Sequence, residues 1–200
     1  MEVVNAIKQR AVYDESSPKK IYFSRAALFN GRDFGEKYIE QVFRQLGYQI
    51  VYPEKYSFAE QLTMLHNCES FAATEGSISH NVMFCRPEAE AIIIRKTRSC
   101  NRYQYSANKV AGCDLVYIDA HLSLFNVFGN DFGPFFLYVN DNMSRFAQSR
   151  GLSIKKHFPL LTFLHYCLYV FWYALRFRQR ILIIGDAKFY WKRLREDVFS

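Results

Sequence analysis

Between Lys20 and Lys96 the chain repeats one alternation: a short β-rich run, a turn, a stretch with helical spacing, then another β-rich run. No other feature limits the fold as tightly. Strands joined through helices run parallel, and a parallel sheet needs cover on both faces. The runs are KIYFSR (20–25), YQIVYP (48–53), SFAA (70–73) and AIIIRK (91–96). DLVYIDA (114–120) and FFLYV (135–139) are further strand candidates, with the Gly-rich loop GNDFGP (129–134) between them. The expected fold is α/β and Rossmann-like: a mainly parallel sheet with helices on both faces, followed by an aromatic, basic helical tail.

The connections carry their own signals. Asp33-Phe34-Gly35-Glu36 and Ser57-Phe58-Ala59-Glu60 both read as capping boxes, with an acceptor at the N-cap and Glu three residues on. Tyr38, Ile39, Val42, Phe43 and Leu46 follow the first at helical spacing, and Gly47 stands where a C-cap would. Residues 1–19 form a lead-in with a short helix before the Ser-Ser-Pro break at 16–18, residues 20–150 the Rossmann-like domain, and 151–200 the tail. A helix around Phe146 ends before Gly151.

A sheet of this kind binds ligands beyond the carboxyl ends of its strands. The turns that end KIYFSR, QIVYP and SFAA are therefore expected along one edge. Thr74-Glu75-Gly76-Ser77 follows SFAA, and His80-Asn81 comes one turn later. Gly76 lets backbone approach a ligand, Thr74 or Ser77 can cap a following helix, and free N–H groups there favour an anion. His80 can donate to a phosphate or carry charge near neutral pH. The other reading of this stretch is an ordinary helix cap, with Glu75 repelling anions if it turns inward. Arg25 and Arg32 follow the first strand at the same edge, where an arginine can fork onto a diphosphate or simply be solvated. Glu60 already has a role in its capping box, and Gln61 can be a helix-surface residue.

Charge and cysteine usage remove several classes. Residues 150–200 hold ten Lys and Arg against three acids, and the rest of the chain carries sixteen of each sign. The net +7 thus belongs to the tail, and the body lacks the basic signature of a nucleic-acid binder. The five cysteines are scattered, with no C-x-x-C, which argues against a zinc site or disulfide framework and for a reducing compartment. The N-terminus has no apolar segment of the signal-peptide kind.

KIYFSR, then Arg32 and Glu36, then YQIVYPEKYSFAEQ, then ATEGSISHNVMF resemble, in order, the C-terminal half of glycosyltransferase family 61. The resemblance covers roughly residues 20–140. It implies a nucleotide-sugar-dependent glycosyltransferase of the two-domain GT-B fold, with the donor on the Rossmann-like half, a glycan acceptor, inverting displacement and no bound metal or other cofactor. It implies that Ser24, Arg25, Arg32 and the turn with Thr74, Gly76, Ser77, His80 and Asn81 face the diphosphate, and that Glu60 and Gln61 lie near the nucleoside. Plant and animal members have His-Gly-Ala where this chain has Glu75-Gly76-Ser77. The Gly-Ser-x-x-His-Asn order here is similar to the bacterial capsular-polysaccharide variant, with His80 in the phosphate-facing role. No general base is identified; Asp114, Asp119 and His121 are candidates by type alone.

Nineteen residues before the first strand cannot supply an acceptor domain. The expectation is a fragment, a degenerate product, or half of a split enzyme whose N-terminal half is a separate chain. A non-catalytic nucleotide-binding subunit is the rival reading. A polynucleotide binder acting through the tail is disfavoured by the neutral body. The tail segment 157–175 has no charged side chain except its histidines, and Lys155-Lys156 and Arg176, Arg178 and Arg180 flank it. Three readings stay open: a helix packed on protein, an anchor on a membrane surface through 155–195, or a spanning helix. The expected location is cytoplasmic, with the inner face of the cytoplasmic membrane as the peripheral alternative.

Overall fold

The computed structural model describes residues 2–28, 33–97, 102–122, 125–126, 133–177, 182–183, 191–192 and 195. In chain order the elements are α1 (Glu2–Lys8), β1 (Lys20–Phe23), β2 (Asp33–Phe34), α2 (Glu36–Gln45), β3 (Gln49–Val51), α3 (Phe58–Asn67), β4 (Ser70–Thr74) and β5 (Glu90–Arg95). They continue with α4 (Arg102–Ala111), β6 (Asp114–Asp119), β7 (Phe125–Asn126), β8 (Phe135–Phe136), α5 (Asp141–Ser149), α6 (Leu160–Phe177) and β9 (Leu182–Ile183). Short 3₁₀ turns occupy Pro53–Lys55 and Ser79–Phe84.

The main sheet has five strands in the order β3-β1-β4-β5-β6, and every pairing is parallel. Ranked by first appearance within the sheet, this is the 2-1-3-4-5 order of a doubly wound fold. The chain reverses its winding between β1 and β4, and the crevice outside those strand ends is the usual ligand position. The α/β, Rossmann-like expectation therefore holds, and the turns after β1, β3 and β4 do lie side by side.

Alternation along the strands divides the core. Ile21, Phe23, Phe71 and Ala73 point to the layer of α3, the 79–84 turn and α4, where Leu62, Leu65, Val82, Ala107 and Ala111 meet them. Tyr22, Ala72, Ile92 and Ile94 point to the layer of α2 and α5, against Ile39, Val42, Phe43, Met143 and Ala147. The lead-in joins the first layer: Val4, Ile7 and Ala11 pack there. Asn67 fastens it, donating to the Val12 carbonyl at 2.8 Å and accepting from the Asp14 N–H at 3.1 Å.

Two local expectations fail for physical reasons. Asp33 does not cap α2. It lies in β2, which pairs in parallel with β8, and its carboxylate meets Lys96 at 2.7 Å. Gly35 takes the N-cap position with φ +88° and no side-chain cap. No α-helix follows the turn at 74–78; the chain makes the 3₁₀ turn instead. The other capping box forms as expected, with Ser57 and Glu60 bonded reciprocally. FFLYV delivers a two-residue strand, then bridges of Leu137 with His121 and of Val139 with His157. Of GNDFGP, residues 129–132 lie outside the described residues. Helix α4 carries little periodic signal, since its buried positions are Gln104, Ala107 and Ala111.

Helix α6 seats one face on the body. Tyr166 and Val170 join Leu122, Phe136 and Tyr138 in a third cluster, and Phe158 and Phe163 pack against it. The Phe136 ring alone touches those of Tyr138, Phe158, Phe163 and Tyr166, at centroid distances of 5.1–5.8 Å. Among the described residues, no helix is long and apolar enough to cross a membrane.

Gly35 is the tightest backbone position in this frame. A Cβ there would sit 2.0 Å from the Leu137 carbonyl oxygen, which the β2–β8 pairing holds in place. Replacing Gly35 by Ala is expected to destabilise the fold by at least about 2 kcal/mol, since both the positive φ and the backbone clash oppose it. Urea unfolding of the variant measures this, and a loss within error of zero would refute it.

Candidate functional site

The carboxyl ends of β1, β4 and β5 deliver three polar turns to the switch point. After β1, Ser24 is fully buried and its hydroxyl donates to Glu40 Oε1 at 2.6 Å, while its oxygen accepts the Ala26 N–H. Ser24 thus shapes the turn against α2. Arg25 follows, half-buried, with its backbone N–H donated to Glu36 Oε1 at 3.2 Å.

After β4, Thr74 is buried and its hydroxyl donates to Glu36 Oε1 at 3.3 Å. Gly76 has φ +137°, and Ser79 closes the turn around it. The Ser79 oxygen accepts the Gly76 N–H at 3.1 Å, and its hydroxyl is shared between the Gly76 carbonyl and Gln104 Oε1. A Cβ on Gly76 would find Arg25 Nη1 at 3.6 Å and Lys96 Nζ at 3.8 Å. Two cations from different strand ends therefore converge on one glycine. Lys96 follows β5, and its Asp33 partner is as buried as it is. Glu75 is buried too, its Oε2 3.5 Å from the Lys96 N–H.

Glu36, the first residue of α2, ties the turns after β1 and β4 together. Its Oε1 accepts from Tyr22 Oη, Arg25 N and Thr74 Oγ1, whereas its buried Oε2 has no hydrogen-bond partner. Burial, aided by the Asp33 charge, pushes the Glu36 carboxyl up to about 7, against the pull of Lys96 and the hydrogen bonds from Arg25 and Tyr22. Near neutral pH the carboxyl is therefore shared between its acid and its anion. The acid form leaves the two cations opposed chiefly by Asp33 and Glu75, and it could itself donate a hydrogen bond.

The remaining sequence candidates lie at varying distance from this centre. Ser77 is exposed beside Gly76, and Asn81 is half-buried on the 3₁₀ turn. His80 is half-buried there, with its Nε2 buried and unpartnered and its ring 6.4 Å from that of Tyr103. Burial pulls its pKa below the usual histidine range, so at pH 7 it offers a neutral imidazole rather than a charge. Glu60 is exposed and spent on Ser57, whose hydrogen bonds hold its carboxyl below the usual range. Gln61 ties down the preceding loop, donating to the Pro53 and Tyr56 carbonyls at 2.9 and 3.0 Å. Arg32 lies outside the described residues.

Asp114 opens β6 at the opposite, amino end of the sheet. His121 is completely buried, with Nδ1 2.7 Å from Asp119 Oδ1. Among the described residues no group of three or more His, Cys, Asp or Glu could hold a metal ion. Sequence reasoning missed Lys96, which reads as the last letter of a strand, and placed Glu36 in a capping box and in the family pattern without giving it a role at the site.

The sequence model of a family described as Glycosyltransferase 61 matches residues 2–92. The match starts in α1 and ends inside β5, so it contains Arg25, Glu36, Thr74, Gly76 and His80 and stops short of Lys96. No curated protein matches the chain.

Because the Glu36 pKa is raised on folding, its contribution to stability is full below about pH 4.5 and is lost as pH rises through about 7. Wild-type protein should therefore lose on the order of 3 kcal/mol from this group across that window. Glu36→Gln should flatten the profile. Urea unfolding across pH 4–8 gives the comparison, and parallel profiles for both proteins would show that Glu36 titrates normally.

Proposed function

We propose, from the match of residues 2–92 to the glycosyltransferase 61 sequence model and from the geometry of the strand ends, that the protein takes the diphosphate of a nucleotide-sugar donor at the switch point between β1 and β4. The observation that carries the reading is the convergence of Arg25 Nη1 and Lys96 Nζ on Gly76. Two cations beside a half-buried glycine suit a diphosphate better than a single phosphate. Arginine can fork onto one group while lysine acts on the other as a point charge. The absence of a side chain at Gly76 supports close approach, since a Cβ there would stand 3.6 Å from Arg25 Nη1 and 3.8 Å from Lys96 Nζ and come between ligand and cations. His80 and Ser77 are within the same turn and would give neutral hydrogen bonds to the phosphates.

In this reading the transfer is an inverting displacement within a GT-B arrangement. An acceptor hydroxyl attacks the anomeric carbon from the side opposite the nucleotide. The bond from that carbon to the diphosphate oxygen breaks, the nucleoside diphosphate leaves with the electron pair, and the acceptor proton passes to a base. Arg25 and Lys96 stabilise the charge that gathers on the leaving group. The acceptor and the base belong to an N-terminal-half unit, and the product is a surface or capsular polysaccharide, in keeping with the Gly76-Ser77-x-x-His80-Asn81 order.

Ligand that binds only the folded state raises its stability. At about a hundredfold excess over Kd, one of UDP, GDP or CDP should raise Tm by on the order of 5–10 °C. Arg25→Ala should abolish the shift. So should the paired change Asp33→Asn with Lys96→Met, which removes the ion pair without stranding a buried charge. A folded wild-type chain that responds to none of these nucleotides overturns the reading and favours a non-catalytic subunit.

A further inference from the structure

Helix α6 has two apolar faces, and the body uses one. Tyr166, Val170 and Ala174 are buried against it. Leu161, Leu164, Leu168, Phe171, Trp172 and Leu175 project from the other side, with Leu161 75% and Leu175 77% exposed. At about 100° per residue these six fall within one arc of roughly 100°. A continuous apolar stripe of this length on a soluble surface marks a contact.

We propose that this outer face of α6, with the cationic residues at its two ends, seats the protein on an anionic lipid surface. Three observations favour lipid over a protein partner. First, the face carries no charge of its own: no Asp, Glu, Lys or Arg occurs between Lys156 and Arg176. A protein-docking face is ordinarily bounded by a polar rim of both signs. Second, the charged residues that adjoin the helix in sequence are basic. Lys155 and Lys156 precede it, Arg176 closes it, and exposed Lys192 and Arg195 follow. Lys156 approaches Asp141 at 3.5 Å, but both groups are well exposed and the pair is weak. Residues 150–200 hold ten basic and three acidic side chains while the rest of the protein is balanced, so the attraction to anions is confined to this end. Third, Tyr169, Trp172 and Tyr173 cluster on the helix with ring centroids 5.9–6.4 Å apart. Such rings suit the boundary between headgroups and acyl chains.

The inner face decides the orientation. It is filled by Phe136, Tyr138 and their neighbours, so lipid can reach only the outer arc. The helix therefore lies along the surface, with the sheet on its far side. This attachment is independent of the donor-site reading, and it is measured without nucleotide.

The experiment uses the full chain with Trp191→Phe, which leaves Trp172 as the sole tryptophan. Vesicles of phosphatidylcholine mixed with phosphatidylglycerol are compared with phosphatidylcholine alone. Co-sedimentation should be at least about tenfold stronger with the anionic vesicles and should weaken as salt is added. Trp172 fluorescence should shift to the blue and be quenched by brominated lipid. Leu161→Glu with Leu168→Glu, both at exposed positions, should reduce binding by about tenfold or more, with circular dichroism and Tm unchanged. The proposal is overturned by absent binding, by equal binding to both vesicle types, or by binding that survives the paired glutamates. It is also overturned if sedimentation equilibrium shows a dimer that those glutamates dissolve while vesicle binding is absent. That result would assign the face to a second copy of the chain.

Discussion

The contact between Lys96 and Asp33 organises more of this protein than its size suggests. Its partners are 63 residues apart, 2.7 Å from each other, and shielded from water. A buried pair of this kind gains little net stability, yet removing either member leaves a charge in a poor solvent. What it contributes is position. By holding Asp33 at the end of β5, it sets β2 against β8 and starts α2 at Glu36. The Glu36 carboxylate then lands between Tyr22, Arg25 and Thr74. The ends of β1 and β4 are thereby locked to one helix start, and Gly76 is left with two cations close by. The cost is visible in Glu36, whose second oxygen is buried without a partner.

How far this was readable in advance depends on whether the signal was local. The strands around Ile21, Ile50, Phe71, Ile93 and Val116 were legible because β-branched and aromatic residues are bounded by turn chemistry. Their parallel arrangement followed from the helices between them. Ser57 and Glu60 were legible for the same reason, since a capping box is satisfied within four residues. Asp33 and Glu36 show the same letters with another outcome. Asp33 has a stronger partner in Lys96, and nothing near either residue in sequence announces it. The helix expected after Thr74 gave way because Ser79 bonds back to Gly76 and the next strand begins at Glu90. Helix α4 was silent because it buries alanines and a glutamine while exposing Tyr103 and Tyr105.

The candidate site was legible as a place more than as a set of side chains. Arg25 and Gly76 meet as the strand-end argument requires. Glu60 and Gln61 are committed to holding their own loop, and Ser24 to its turn. Lys96, which reasoning passed over, and Glu36, to which it gave no part in the site, owe their importance to burial and to neighbours distant in sequence. Periodicity cannot report either property.

The ring cluster under α6 has an optical consequence. Phe136, Tyr138, Phe158, Phe163 and Tyr166 are fixed at close range in asymmetric packing. Fixed aromatic packing is what generates near-ultraviolet dichroism, and that signal fades when packing loosens even if helices persist. The far-ultraviolet signal of this protein reports on helices in all of its layers. Its near-ultraviolet signal draws on the seat of α6 as well as on the Tyr22, Phe43 and Tyr48 rings of the α2 layer, so a displaced α6 would remove part of that signal while the sheet beneath stayed intact.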